Sequence, residues 1–197
     1  MAVTVNCGSP QSRTGVPGKE EAPSSTRIDD GAPEASTVLL DAAYDGQAEL
    51  VREALERGAD PSVKGEDGRT ALMLAAFDGH TDTLRVLLVG GAPVDDRDGS
   101  GRTALMYAAS GPNPESVQLL LDWKAEPNLV DQEERFSALM FAAAEGQAGV
   151  VQTLLDHGSD SDLVDVDGDT ALDFAARNGH QEVVRLLSPQ PVRRNDP

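Results

Sequence analysis

Residues 70–80 read TALMLAAFDGH, and four other segments of the chain superpose on this stretch. The copies are 37-TVLLDAAYDGQ, 103-TALMYAASGPN, 137-SALMFAAAEGQ and 170-TALDFAARNGH. Their first residues lie 33, 33, 34 and 33 positions apart. A constant period of this length indicates a repeat architecture, in which one supersecondary unit is copied and stacked.

The second half of each unit also repeats, with apolar residues at helical spacing. Examples are 50-LVREALERGAD-60 and 83-TLRVLLVGGAP-93. Each unit therefore predicts two helices, and glycines such as Gly79 and Gly91 follow them where the backbone must turn through a positive φ. Because one unit cannot bury its own apolar face, we expect its stability to come from stacking on its neighbours.

The pattern resembles the ankyrin repeat, a 33-residue turn and two-helix unit with the signature T-P-L-H-x-A. The resemblance covers residues 37–188, and the TALM-type variant is similar to units of bacterial ankyrin proteins. It implies an all-α fold, a solenoid of stacked helix pairs joined by hairpin-like loops. Ala or Val replaces the family's Pro, and Leu, Met or Asp replaces its His, which removes a side chain that ties the helix start to the loop. The five units are expected to start at Thr37, Thr70, Thr103, Ser137 and Thr170.

Each position in the unit has a physical reason of its own. The Thr or Ser at the start is a good N-cap, since its hydroxyl accepts a hydrogen bond from the first turn. Small residues five and six positions on let neighbouring first helices approach closely, and larger residues fill the second layer. The predicted core comprises Leu39, Leu72, Leu105, Leu139 and Leu172, the alanine pairs 42/43, 75/76, 108/109, 142/143 and 175/176, and Val51, Leu84, Val117, Val151 and Val184.

The two ends of the chain lack this period. Residues 1–36 are rich in Pro, Gly, Ser and Thr, and residues 189–197 place Pro191 where a glycine would follow the second helix. We therefore predict a repeat domain over residues 37–188, flanked by a disordered N-terminal tail, 1–36, and a disordered C-terminal tail, 189–197.

Composition excludes several function classes. The chain has 197 residues, and 34 Asp and Glu against 16 Lys and Arg give a formal charge of −18. Such a charge repels phosphate backbones and anionic membranes, so we expect a protein partner with a basic surface, no nucleic acid and no membrane. No apolar run approaches the ~18–20 residues of a membrane span, and no secretory signal is recognisable. A cytoplasmic monomer is expected, with an exported protein lacking its signal as the alternative.

Residues suited to catalysis or to cofactor binding are sparse. Cys7 lies in the predicted tail without a positioned base, and His80, His157 and His180 occupy positions where ankyrin repeats carry His for structural reasons. The stretch 160–173 is rich in Asp, yet its spacing lacks the Gly and Glu that an EF-hand calcium loop requires. We therefore predict no catalytic residues, no cofactor and no metal, with an enzyme or metal-binding protein as a minor alternative.

The remaining candidate is a binding surface. In the ankyrin family, partners dock on the concave side, which is formed by hairpin tips and the exposed positions of the first helices. Those positions, four, seven and eight residues after the cap, vary between units while the core rows stay constant. They concentrate aromatic rings beside acids, although the +4 row is also consistent with half-buried core. The predicted partner-binding residues are Tyr44, Asp45, Phe77, Asp78, Tyr107, Phe141, Glu145, Phe174 and Arg177.

The third and fourth units depart most from the pattern. Pro112 and Lys124 replace expected glycines, and the loop 131–136 has one extra residue with Arg135 at the turn-glycine position. Trp123, at the exit of the second helix beside this loop, adds an apolar anchor. This region is the best place to look for specific recognition, with a tolerated loop insertion as the alternative.

Taken together, these patterns predict a non-enzymatic protein–protein interaction module with an acidic, aromatic-lined concave face. The alternative is an inhibitory or accessory subunit of a specific enzyme, which would bind one partner tightly and change its activity.

Overall fold

The computed structural model describes residues 32–188, with side chains from residue 35 onward. Within this range the backbone forms ten helices in five consecutive pairs, and each pair is joined by a short turn. The first helices of the pairs are α1 (Ala32–Tyr44), α3 (Ala71–Phe77), α5 (Ala104–Ser110), α7 (Ala138–Ala144) and α9 (Ala171–Arg177). The second helices are α2 (Ala48–Glu56), α4 (Thr81–Val89), α6 (Pro114–Asp122), α8 (Ala148–Asp156) and α10 (Gln181–Leu187).

The pairs stack into two layers. Each first helix contacts the first helix of the next unit, from α1 through α9, and the second helices form a parallel series from α2 through α10. The core lies between the layers, where the alanines of the first helices meet Leu and Val of the second helices. Leu39, Leu72, Leu105 and Leu139 are at most 1% exposed, so the predicted core rows are confirmed in the first four units.

The N-caps that start the first helices follow the sequence prediction in three units. The hydroxyls of Thr70, Ser137 and Thr170 each accept a hydrogen bond from the backbone N–H three residues on. In the second and fourth units, the backbone N–H of the cap residue in turn donates to the sulfur of the methionine at the family's His position. The backbone N–H of Thr70 lies 3.4 Å from Met73 Sδ and that of Ser137 lies 3.5 Å from Met140 Sδ. Methionine sulfur thus partly replaces the tie that the sequence suggested was lost.

The first unit differs from the expected boundary. Helix α1 begins at Ala32, so Thr37 lies inside the helix instead of capping it, and Ala35 is buried in the core. Residues 32–36, which the sequence analysis assigns to the N-terminal tail, are thus helical, and the domain boundaries stay a prediction. The backbone of these residues extends the terminal helix, and Ala35 packs on core that no preceding unit covers in the described part of the chain. The rest of the predicted tails, including Cys7, lies outside the described residues.

The last unit is less buried than its sequence predicts. Ala176 is exposed, and Leu172 and Val184 are half-buried, whereas the equivalent residues of earlier units are enclosed. Helix α9 contacts α7 on one side, and no further first helix follows it within residues 32–188. The side of α9 and α10 that faces away from the fourth unit is therefore left more exposed, whereas Ala175 and Val183 remain buried.

The loops between units form a series of connected turns. An aspartate organises three of them, because one carboxylate oxygen accepts backbone N–H groups within its own loop: Asp98 from Ser100 and Arg102, and Asp165 from Asp167 and Asp169. Asp131 acts in the same way in the third loop. The aspartate-rich stretch that suggested calcium thus contains a residue with a clear turn-forming role.

Candidate protein-binding face

The first helices present one continuous surface, which we call the inner-helix face. It consists of the residues four, seven and eight positions after each cap. The +7 residues Tyr44 and Phe77 are 54% and 51% exposed. The +4 residues Tyr107, Phe141 and Phe174 are half-buried and pack against the core. All five predicted rings therefore lie on this face, but only Tyr44 and Phe77 are exposed over about half of their surface.

Two rings join neighbouring units in the middle of the face. Phe77 and Tyr107 make an edge-to-face contact with their centroids 6.2 Å apart. The Tyr107 hydroxyl donates to Asp98 Oδ2 at 2.6 Å, which connects helix α5 to its own loop. Partial burial, and then the hydrogen bond to the Asp98 carboxylate, raise the pKa of Tyr107 to about 12. Tyr107 is consequently a fixed, neutral hydrogen-bond donor at physiological pH.

A three-ring cluster lies farther along the face and includes a residue that sequence reasoning missed. Phe136 makes edge-to-face contacts with Phe141 and Phe174, at centroid distances of 5.5 and 4.9 Å. Its position precedes the cap, where the second and third units have Arg69 and Arg102. The available signal was the replacement of Arg by Phe at that position. This replacement is visible only when the units are compared position by position.

The irregular loop 131–136 places Phe136 in this cluster. The carboxylate of Asp131, which is 3% exposed, accepts the backbone N–H groups of Glu134 and Phe136, both at 3.1 Å. Arg135 adopts a φ of +61°, in the left-handed region that non-glycine residues rarely occupy. The loop that carries the extra residue thus forms an ordered turn, and Phe136 follows this turn onto the inner-helix face.

Arginines cover two of the rings. The Arg102 guanidinium carbon lies 5.1 Å from the Phe141 centroid, and its Nε is 3.4 Å from Asp131 Oδ2. The Arg177 guanidinium carbon lies 5.5 Å from the Phe174 centroid, and a guanidinium nitrogen of Arg177 forms an ion pair with the Asp169 carboxylate. The predicted binding residue Arg177 is therefore engaged by its own unit, and both guanidiniums combine a ring face with a carboxylate.

Three predicted acids border the rings. Asp45, Asp78 and Glu145 follow directly after α1, α3 and α7, and their side chains are exposed. Within residues 35–188 none of them belongs to a recorded ion pair. The inner-helix face therefore carries uncompensated negative charge beside its exposed rings.

The histidines hold neighbouring units together. His80 Nε2 lies 3.1 Å from the carbonyl oxygen of Tyr44, and His180 Nε2 lies 2.9 Å from that of Ala144. Asn113 replaces His in the third unit and donates from Nδ2 to the Gly79 carbonyl at 2.9 Å. A side chain at Gly46 would place its Cβ 2.6 Å from the His80 ring, so the close approach requires glycine there. The structural interpretation of His80 and His180 is confirmed.

The outer layer, which the second helices form, has an exposed ring and a cavity as its candidate binding features. Trp123 is 42% exposed at the end of α6, beside Lys124. A cavity of about 460 Å³ lies between α2 and α4, where Leu55, Val86 and Val89 form an apolar floor. Charges of both signs border it, from Arg52, Glu56 and Arg85. No helix within residues 32–188 is long and apolar enough to cross a bilayer.

The stacked helix pairs, their connecting turns and a variable face on a constant core define a helical repeat solenoid. A family model for ankyrin repeats (3 copies) matches residues 39–131 and 112–196, and the chain belongs to the ankyrin repeat family. A comparison with curated proteins found no match. Ankyrin repeats are generally protein–protein interaction modules, and the expectation of that general role is confirmed. The family is generally non-enzymatic.

Proposed function

We propose that the chain binds a partner protein on the inner-helix face, which serves as an acidic, aromatic-lined concave surface. The observation that carries the proposal is the exposure of Tyr44 and Phe77, each about half exposed and each followed by an exposed aspartate. Aromatic side chains are enriched among the residues that dominate binding energy at interfaces. Uncompensated acids beside them favour a basic partner and accelerate its encounter.

The half-buried rings have a second role in this proposal. Phe136, Phe141 and Phe174 pack on one another and on the core, so their positions are set before any partner arrives. A rigid surface loses less conformational entropy on binding than a mobile one. We therefore assign direct contact mainly to Tyr44, Phe77 and the exposed acids, and assign support of the surface to the three-ring cluster.

The test compares affinity capture by three forms of the full chain from a lysate of the source organism. The first is the unmodified protein, the second carries Tyr44→Ser and Phe77→Ser, and the third carries Val89→Ser. Val89 is the matched control because it is 72% exposed and lies on an outer helix. We expect a protein retained by the first and third forms and lost by the second.

The captured protein is then purified and its affinity is measured by calorimetry. Loss of a central aromatic contact typically costs about 2 kcal/mol or more, or roughly 30-fold in Kd. Equal affinity of all three forms would move recognition away from the inner-helix face. An assay of the partner's own activity, with and without this chain, distinguishes the regulatory alternative from simple attachment.

A further inference from the structure

The half of the inner-helix face nearer the N-terminus has rings and acids, but its arginine, Arg69, pairs with Asp67, and within residues 35–188 no arginine is found over Tyr44 or Phe77. Arg102 and Arg177 each lie over a ring, Phe141 and Phe174 respectively, and each is paired with an aspartate. In this arrangement the ring contacts the flat face of the guanidinium through a cation–π interaction. A carboxylate pairs with the N–H groups at the edge of the guanidinium. It occurs twice within the described residues, in neighbouring units.

Tyr44 and Phe77 have the same chemistry without the cation. Each ring is about half exposed, and Asp45 and Asp78 follow them directly with exposed side chains. Asp41, one helical turn before Tyr44, is also exposed. Among residues 35–188 no Lys or Arg side chain is recorded over either ring. Helices α1 and α3 contain no Lys or Arg, and the charged residues nearest to these rings along the chain are Asp41, Asp45 and Asp78.

We propose that this half of the face binds arginine side chains of the partner, with one guanidinium against Tyr44 and Asp45 and another against Phe77 and Asp78. The inference rests on the proposed function and adds the chemistry of the partner. Arginine is preferred to lysine because its planar group stacks on a ring while its N–H groups reach a carboxylate, whereas an ammonium is a compact, strongly hydrated charge.

The spacing of the units specifies how the arginines are arranged. Neighbouring packed helices lie about 8–10 Å apart, and Tyr44 and Phe77 occupy the same position in consecutive units. A polyproline II segment has three residues per turn and advances about 3.1 Å per residue, so side chains at positions i and i+3 lie on the same side of it, about 9 Å apart. The partner segment is therefore of the polyproline II type and carries arginines at positions i and i+3.

The test uses the full chain and labelled synthetic peptides, with binding followed by fluorescence anisotropy at physiological salt. One Gly- and Ser-based peptide has two arginines three residues apart, a second has lysines at those positions, and a third has the two arginines adjacent. We expect the first peptide to bind about fivefold or more tightly than either of the others. Equal affinity for the arginine and lysine peptides would overturn the inference, because net charge alone would then explain binding.

Variants place the peptide on the face. Tyr44→Leu with Phe77→Leu removes both rings and keeps apolar side chains at exposed positions, so the fold is expected to remain, as circular dichroism would verify. We expect the preference for arginine to disappear in this variant and to persist in the control Trp123→Leu, which removes an exposed outer-layer ring that also follows an aspartate. Unchanged preference in the double variant would overturn the proposed site.

The two proposals fail in different ways. If none of the peptides binds, the arginine inference is overturned, while a natural partner that is captured by the intact chain and lost on changing Tyr44 and Phe77 still supports the proposed function. If the peptides bind but no captured protein depends on these rings, the proposed function fails.

Discussion

The substitution Lys124→Gly is expected to stabilise the protein. Lys124 follows α6 with a φ of +69°, and the equivalent turns after α2, α4 and α8 have Gly58, Gly91 and Gly158 with φ between +83° and +90°. The backbone N–H of Lys124 is bonded to the Leu121 carbonyl at 2.9 Å, so the turn has the same form as the others. The third unit therefore holds a side chain where its neighbours have none.

The magnitude follows from two opposing terms. A left-handed conformation costs a residue with a Cβ about 1–2 kcal/mol. Glycine loses about 0.5–1 kcal/mol more conformational entropy on folding than a residue such as alanine. The net gain from Lys124→Gly thus has a range of about 0–1.5 kcal/mol and a central value of about 0.8 kcal/mol, which corresponds to a rise of about 2–3 °C in Tm for a chain of this size. The side chain is exposed, so its removal leaves no cavity.

A reciprocal substitution provides the control. A Cβ added at Gly91 meets no atom within 4 Å, so Gly91→Ala tests backbone conformation without a steric clash. We expect this variant to lose about 1 kcal/mol. Both variants are compared with the unmodified chain by urea unfolding followed by circular dichroism, and equal slopes with denaturant confirm that the same transition is measured.

Two outcomes would refute this reasoning. If neither substitution changes the unfolding free energy, the left-handed turn carries no measurable strain. If Gly91→Ala destabilises as expected but Lys124→Gly does so as well, the Lys124 side chain makes a stabilising interaction that outweighs the strain, and the irregular third unit has been selected for that interaction.

Three further predictions concern the core, the face and the last helix pair. Leu139→Ala, at a site 1% exposed in an interior unit, should lower the unfolding free energy by about 2–5 kcal/mol in urea titrations, and a loss below about 1 kcal/mol would contradict its core position. Tyr107→Phe should cost about 1 kcal/mol through the lost bond to Asp98. Because the folded-state pKa of Tyr107 is raised to about 12, its stabilising effect should be complete below about pH 10 and lost as the pH rises through 12. The phenolate absorbance that this variant lacks should appear near pH 12, and its appearance near pH 10 would refute the assignment. Hydrogen bonds from the Thr170 hydroxyl and backbone N–H lower the pKa of Asp173. The contribution of Asp173 to the stability of the fold is therefore present above its ordinary pKa of 3.8 and is lost as the pH falls through the lower folded-state pKa. Asp173→Asn should therefore weaken the acid dependence of unfolding below about pH 4, and an unchanged dependence would argue against this cap.

The repeat period predicted the fold because stacking depends on short-range patterns. The caps at Thr70, Ser137 and Thr170 are local, since donor and acceptor lie three residues apart on one turn. The positions of Lys124 and Arg135 in left-handed turns could likewise be recognised, since their equivalents are glycines. Thr37 was assigned wrongly because its helix extends toward the N-terminus, where no earlier unit in the described chain sets the boundary.

The candidate site was predicted less completely. Aligning the units placed five rings on one face, and all five lie there. It did not distinguish the freely exposed Tyr44 and Phe77 from the half-buried rings of the +4 row. Phe136 was missed because it lies in a loop and contacts Phe141 of its own unit and Phe174 of the next unit. The pattern within one repeat does not show a contact between two units.

The amino-acid sequence by itself determined the repeating helix pair, the core rows and the strong negative charge, because each depends on residue type and local spacing. Tertiary structure alone decided which side chains remain available. Arg102 and Arg177 contact rings of this chain and form ion pairs with its aspartates. Asp45 and Asp78 have no ion-pair partner among the described residues. Exposure and pairing depend on how successive units approach one another in space, and this approach places residues more than 30 positions apart in contact.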